Sequence, residues 1–194
     1  MYHSIYDTYA WYTRFADKDF LYGKTLSEVM IRTMLRFSES VILPFEFGRL
    51  ASTIREYTNE IDKQAGVQKV DWQNVPAELN RMDLLARKFD SQVARVSDLG
   101  ANGALASVNI ALAKMEQSLQ VDAGLPDRPW YKHSLTAPGM YTGYGAKTLP
   151  GVREAIDRNR GTEANGQAKL LGNVLRRFNS ALEQVIAQLE RVRS

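Results

Sequence analysis

The chain has no cysteine among its 194 residues. That excludes disulfide frameworks, thiolate zinc fingers and cysteine nucleophiles. Histidine is almost as scarce, with His3 and His133 the only two. A catalytic zinc centre usually draws on two or three histidines, so the chain is not expected to complete one alone. No apolar run approaches the ~18–20 residues of a membrane span. The opening Met-Tyr-His-Ser-Ile-Tyr-Asp lacks the basic and apolar regions of a signal peptide. It reads like the interior of a domain, and Met1 reads as an added initiator. GxSxG, P-loop and GxGxxG motifs are missing, and with them the commonest hydrolase and nucleotide signatures. One-sided charge is missing too: 25 basic residues face 22 acidic ones, a net +3. The surplus lies in residues 149–194, where eight basic side chains face five acidic ones. That is too dilute to imply nucleic acid, and a solvated helix face accounts for it.

What is present is enough apolar sequence, 44% of the residues, to fill a core and to exclude disorder. Helical spacing dominates. Thr25-Leu26-Ser27-Glu28 fits a capping box, followed by Val29, Ile31, Met34, Leu35, Phe37, Val41 and Ile42 up to Pro44. Apolar positions cover most of that helix's circumference, which predicts burial on more than one side. Pro44 marks a boundary. A second stripe runs through Leu50, Ile54, Tyr57 and Ile61 and stops at Gly66. After a polar link, Pro76 opens a third helix with Leu79, Met82, Leu85, Phe89, Val93 and Val96 on one face. A fourth carries Leu105, Val108, Leu112, Met115 and Leu119 and is expected to end at Gly124. A short helix from Val152 and a last one from Leu171 to Val192 follow. The expectation is an all-α fold, a bundle of four main helices, with no sheet and one long structured loop over 124–151.

Few motifs point to chemistry. His3 and Asp7, four apart, would share a helix face and could both reach one metal, but two ligands do not make a metal site. Tyr2, Tyr6, Tyr9, Trp11 and Tyr12 form an aromatic cluster whose simplest reading is core packing, with stacking on a ligand as the alternative. The carboxylates offer no acid–base pair. The loop over 124–151, rich in glycine, proline and aromatics, is the most informative segment, because such loops on rigid scaffolds often carry function. Its tyrosines, Lys132, Lys147 and backbone amides suit an anionic ligand, or else it covers the ends of the bundle.

The loop sequence Gly124-Leu-Pro-Asp-Arg-Pro-Trp-Tyr-Lys-His133, then Ala137-Pro138 and Leu149-Pro150-Gly151, resembles the C-terminal region of the glutamate carboxypeptidase II (folate hydrolase) family. Tyr2-His3-Ser4-Ile5-Tyr6-Asp7-Thr8-Tyr9 and Val41-Ile42-Leu43-Pro44-Phe45 look like the same family's segments at the end of its peptidase domain. The resemblance runs nearly the whole chain in order. Residues 67–102 share only the helical pattern.

The resemblance implies a division into the truncated end of a zinc peptidase domain, 1–44, and a transferrin receptor-like helical dimerisation domain, 45–194. In the family the histidine of Tyr-His-Ser ligates one of two catalytic zinc ions. His3 would take that place in the intact parent, and Tyr2 would stabilise the tetrahedral intermediate. The other ligands and the glutamate base would lie outside this chain, so the fragment alone is expected to bind no zinc and to catalyse nothing. The family's loop holds a substrate's C-terminal glutamate with an adjacent Lys-Tyr pair. Here Tyr144 falls on the tyrosine and Gly143 stands where the lysine should be, which removes one charge-assisted contact and with it the basis for a glutamate preference. Lys147, three residues on, is the one candidate to compensate. His133 matches a family histidine of the same loop with a packing role. The implied partners are a second copy, through the helices, and a peptide substrate in the parent, with no nucleic acid and no membrane segment in this chain. The implied setting is extracellular, periplasmic or luminal. Two other readings stand beside this one: a non-catalytic, transferrin receptor-like protein-binding module, and a stand-alone basic helical adaptor.

Overall fold

The computed structural model describes residues 2–66, 68–96 and 103–192. They fall into two compact units, 1–40 and 41–194.

In the first unit a turn leads into α1 (Tyr9–Trp11), a π-helical turn (Tyr12–Ala16), a 3-10 turn (Lys18–Phe20) and α2 (Leu21–Ser38). Helix α2 starts one turn ahead of the expected capping box. Thr25 lies inside it, its hydroxyl donating to the Leu21 carbonyl at 2.8 Å. The cap comes from Asp17, which accepts the Tyr22 N–H at 2.9 Å and the Gly23 N–H at 2.7 Å. A carboxylate there also suits the positive end of the helix. The helix stops at Ser38, short of Val41 and Ile42. The Ser38 and Ser40 hydroxyls donate back to the Leu35 and Arg36 carbonyls, a local alternative that competes with continued helix. The expected burial is not found: no residue of α2 is buried, and Leu26, Val29, Met30, Ile31, Met34, Leu35 and Phe37 are all exposed.

The second unit holds α3 (Phe47–Ala65), α4 (Val75–Val96), α5 (Gly103–Lys114) with a 3-10 extension (Met115–Leu119), strands β1 (Thr136–Pro138) and β2 (Ala146–Thr148), α6 (Pro150–Asp157) and α7 (Gly161–Arg191). The apolar stripes read from the sequence are the buried faces. Ala51, Ile54 and Ile61 of α3, Leu79, Met82 and Phe89 of α4, and Leu175, Leu182, Ile186 and Leu189 of α7 are essentially inaccessible. Helix α7 is the hub and packs against α4, α5, α6 and the 3-10 turn, while α3 lies on α4 and α6. Phe47 meets Phe89 and Phe178 edge-on, with ring centroids 5.0 and 5.8 Å apart, the geometry that aromatic quadrupoles favour.

Polar groups fix the details. Asn179, fully buried on α7, donates to the backbone carbonyl and carboxylate of Glu78 at 2.9 and 3.0 Å. Asn109 on α5 accepts the Leu43 N–H and donates to the Val41 carbonyl, both at 2.9 Å, and so ties residues 41–43 to the bundle. Two expectations need correction. The fourth helix ends at Leu119 rather than at Gly124, where the chain turns to pair Gln120 with His133. A small antiparallel sheet also exists, with Thr136 opposite Thr148, Ala137 opposite Lys147 and Pro138 opposite Ala146.

Candidate functional site

The loop over 124–151 is built from its base upward. Gly124 turns with φ 67°, and a Cβ there would lie 2.2 Å from the Pro129 carbonyl oxygen, so only glycine fits. The Leu125 N–H donates to the Tyr131 carbonyl at 2.9 Å, and the Val121 N–H to the Lys132 carbonyl at 2.8 Å. Inside this base lies the ion pair of Arg128 and Glu154, both buried, with Nη2 at 2.7 Å from each carboxylate oxygen. Arg128 Nη1 also donates to the Pro138 carbonyl at 2.5 Å. Glu154 Oε1 accepts the Met140 N–H at 2.9 Å. One buried pair thus joins the start of the loop, its hairpin and α6.

The hairpin carries a tip over residues 139–145. The Gly139 N–H donates to the Gly145 carbonyl at 3.1 Å, and the Thr142 hydroxyl to the same carbonyl at 2.7 Å. Gly143 has φ 57° with nothing within 4 Å of where a Cβ would sit. Beside it Tyr144 is 96% exposed and Tyr141 86% exposed. The anchored base and the open tip present two tyrosines to solvent. Lys147 is not free to stand in for a lysine at 143: its ammonium is 2.5 Å from Asp157 Oδ2. His133 Nδ1 accepts the Thr136 N–H at 3.2 Å, and Nε2 lies 3.6 Å from Glu116, so this histidine has a structural part in the turn.

Tyr2 and His3 belong to the other unit. They do not share a helix with Asp7. His3 sits in a turn at φ 62° and donates its N–H to Asp7 Oδ2 at 3.4 Å, because the helical segment begins only at Tyr9. The Tyr2 and His3 rings are 4.0 Å apart, and Tyr2 is 75% exposed. Tyr6 and Tyr9 are likewise exposed, so the aromatic cluster is not core. Among the described residues no three His, Asp or Glu side chains gather where they could hold a metal. The strongly held carboxylate of this unit is Asp17. Burial acts to raise its pKa, but hydrogen bonds from the Tyr22 and Gly23 amides and the Tyr12 hydroxyl outweigh that and hold it below the usual range.

Four arginines of the basic tail are ion-paired. Arg153 pairs with Glu60, Arg158 with Asp127 and Glu163, Arg160 with Asp127, and Arg176 with Glu78. Among the described residues no helix is long and apolar enough to cross a membrane.

Residues 69–183, which contain α4 to most of α7 and the whole loop, match the transferrin receptor-like dimerisation domain. The chain belongs to this family. The chain is 28% identical over 159 residues to a protein named probable glutamate carboxypeptidase from Arabidopsis thaliana, covering 81% of this chain and 23% of the relative. It is 20% identical over 163 residues to an inactive zinc metalloprotease of Schizosaccharomyces pombe, covering 79% of this chain and 20% of the relative. It is 23% identical over 202 residues to an aminopeptidase of Rattus norvegicus, covering 98% of this chain and 26% of the relative. The chain spans about a quarter of the length of the curated relatives it matches. The tip tyrosines and the ion pair under them are within reach of sequence reasoning only in part. The loop motif points to Tyr144, whereas Arg128 and Glu154, 26 residues apart, carry no local signal of pairing.

Proposed function

We propose that this chain is the self-associating C-terminal region of a zinc exopeptidase of the glutamate carboxypeptidase type. Residues 1–44 would close the peptidase domain and residues 45–194 would form the dimerisation domain. The observation that carries the reading is the family match over residues 69–183, joined to relatives named as peptidases. Self-association is the role the family's name gives this fold. In the assembled enzyme the loop over 124–151 completes the substrate pocket, with Tyr144 as the donor to an anionic peptide terminus. The rigid ion-paired base and the exposed tip support that assignment. Gly143 leaves the neighbouring position without a cation, which weakens selection for a glutamate side chain. His3 serves as one ligand of a two-zinc centre whose other ligands come from elsewhere in the enzyme, and Tyr2 donates to the tetrahedral oxygen. The chain by itself does not catalyse, since its two histidines fall short of such a centre. The exposed apolar surface of α2 is covered by the rest of the peptidase domain.

Sedimentation velocity over a concentration series tests the association. A dimer at tens of micromolar is expected, whereas a monomer throughout removes self-association by this chain. The pocket role is tested in the longer enzyme: Tyr144→Phe is expected to raise KM for peptide substrates, and an unchanged KM ends that assignment. One relative is named as an inactive zinc metalloprotease, which favours a second reading, a binding module without catalysis. Zinc content and peptide hydrolysis measured on the longer protein separate the two.

A further inference from the structure

A cavity of about 450 Å³ opens within the helical unit, between the start of α3, the α5 end with its 3-10 extension, and the turn at His133. Ligand pockets occupy roughly 300–1,000 Å³ and combine an apolar lining with a few convergent polar groups. Both features are found here. Ile54, Leu112 and Phe178, all buried or nearly so, form the apolar lining, and Tyr57 adds an aromatic wall. The charged lining is one-sided: Glu46 and Glu116 are present, and neither lysine nor arginine contributes. Glu116 is 79% exposed, with its carboxylate 3.6 Å from His133 Nε2. Glu46 has no ion pair among the described residues. Its charge reaches Asp90 nearby, whose carboxyl is pushed up by burial and then by Glu46, and no lysine or arginine in the lining offsets the two rim carboxylates. Inside, His133 Nε2 is shielded from solvent and lacks a hydrogen-bond partner. Because Nδ1 accepts the Thr136 N–H, the ring proton sits on Nε2, where the nearest carboxylate, Glu116 at 3.6 Å, is beyond hydrogen-bond distance.

We propose that this cavity is a binding site for a small aromatic amine. The ring enters between Tyr57 and Phe178. The ammonium meets Glu46 and Glu116, in a setting where partial desolvation strengthens the attraction, and gains from the aromatic faces. An oxygen on the ligand accepts from His133 Nε2. The site lies entirely within residues 45–178 and needs neither Tyr144 nor the zinc-ligand segment, so it does not depend on the peptidase reading.

Three probes of nearly equal size separate charge from shape: tyramine, its alcohol tyrosol, and 4-hydroxyphenylacetate. Isothermal titration into the full chain at neutral pH is expected to show tyramine binding about ten-fold or more tighter than tyrosol, with the carboxylate failing to bind. Replacing both rim carboxylates, Glu46→Gln with Glu116→Gln, is expected to bring tyramine down to the level of tyrosol and leave tyrosol unchanged. Tyrosol serves as the folding control, since both substituted side chains are exposed. Equal binding of all three probes, no binding of any, or an unaltered amine preference in the double variant overturns the proposal. Loss of tyramine binding at concentrations where the chain self-associates also overturns it, because a second copy would then be the occupant.

Discussion

Arg128 Nη2 donates to both carboxylate oxygens of Glu154 at 2.7 Å, and both side chains are buried. Removing one partner strands a buried charge, which costs about 3–5 kcal/mol. Glu154→Leu alone is therefore expected to destabilise the chain by that amount in urea unfolding. Arg128→Met combined with Glu154→Leu should recover part of the loss, since no lone charge remains. Equal losses in the single and double variants would show that the Pro138 and Met140 contacts, rather than the charge pairing, dominate.

Asp17 caps α2 through two backbone amides, and its pKa is depressed. A depressed carboxylate contributes stability above its unfolded pKa and loses it as pH falls through the folded value. Stability of the first unit should therefore decline below about pH 4. Asp17→Asn should be less stable at neutral pH and show a flatter acid limb. Helical ellipticity followed from pH 7 to 2 compares the two; parallel curves would contradict the assignment.

Gly143 tests the specificity argument. A side chain at φ 57° meets no atoms, so Gly143→Lys carries only the left-handed backbone cost of about 1–2 kcal/mol. In the longer enzyme this substitution should raise kcat/KM for peptides ending in glutamate about ten-fold, the scale of one charge-assisted hydrogen bond. It should leave peptides ending in alanine unchanged. An equal change for both classes would mean that the tip does not read the terminal side chain.

Asn109 holds residues 41–43 by two hydrogen bonds. Asn109→Ala should cost about 1–3 kcal/mol and speed exchange of the Leu43 amide. Unaltered exchange there would show that these two hydrogen bonds do not hold the segment.

Phe47 sits between Phe89 and Phe178. Phe47→Ala should cost about 3–5 kcal/mol, while Phe47→Leu should lose well under half of that. Urea midpoints for the two variants decide it.

The helices are legible in the sequence because burial follows from spacing: each stripe read along α3, α4 and α7 is a face packed on its neighbour. The ends are less so. The capping box at Thr25 and Glu28 fits the pattern, yet Asp17 competes for the same helix start from outside it, and a carboxylate with two amide donors wins. The hairpin escapes because its strands are three residues long and flanked by proline and glycine. Their pairing rests on the remote Arg128–Glu154 pair rather than on any alternation. At the site, Tyr144 and Gly143 are legible only through family resemblance, since an exposed tip has no pattern of its own. The cavity at His133 is invisible in the sequence because its walls come from segments 45–57, 112–119, 133–136 and Phe178, which only folding brings together. Helix α2 misleads for a related reason: an all-round apolar helix announces burial but does not say by what.

The position of α7 at the hub sets a timetable for synthesis on the ribosome. Helices α3 and α4 emerge first and can pair as a local antiparallel couple. The α4 face that α7 covers then stays wet until Gly161–Arg191 has left the exit tunnel. The end of α7 follows the end of α4 by 95 residues, roughly 5–20 s at ordinary elongation rates. During that interval the nascent chain is a sticky half-bundle and a natural client for holding chaperones, and a slow codon placed after α4 would lengthen its exposure without altering a single contact in the finished fold.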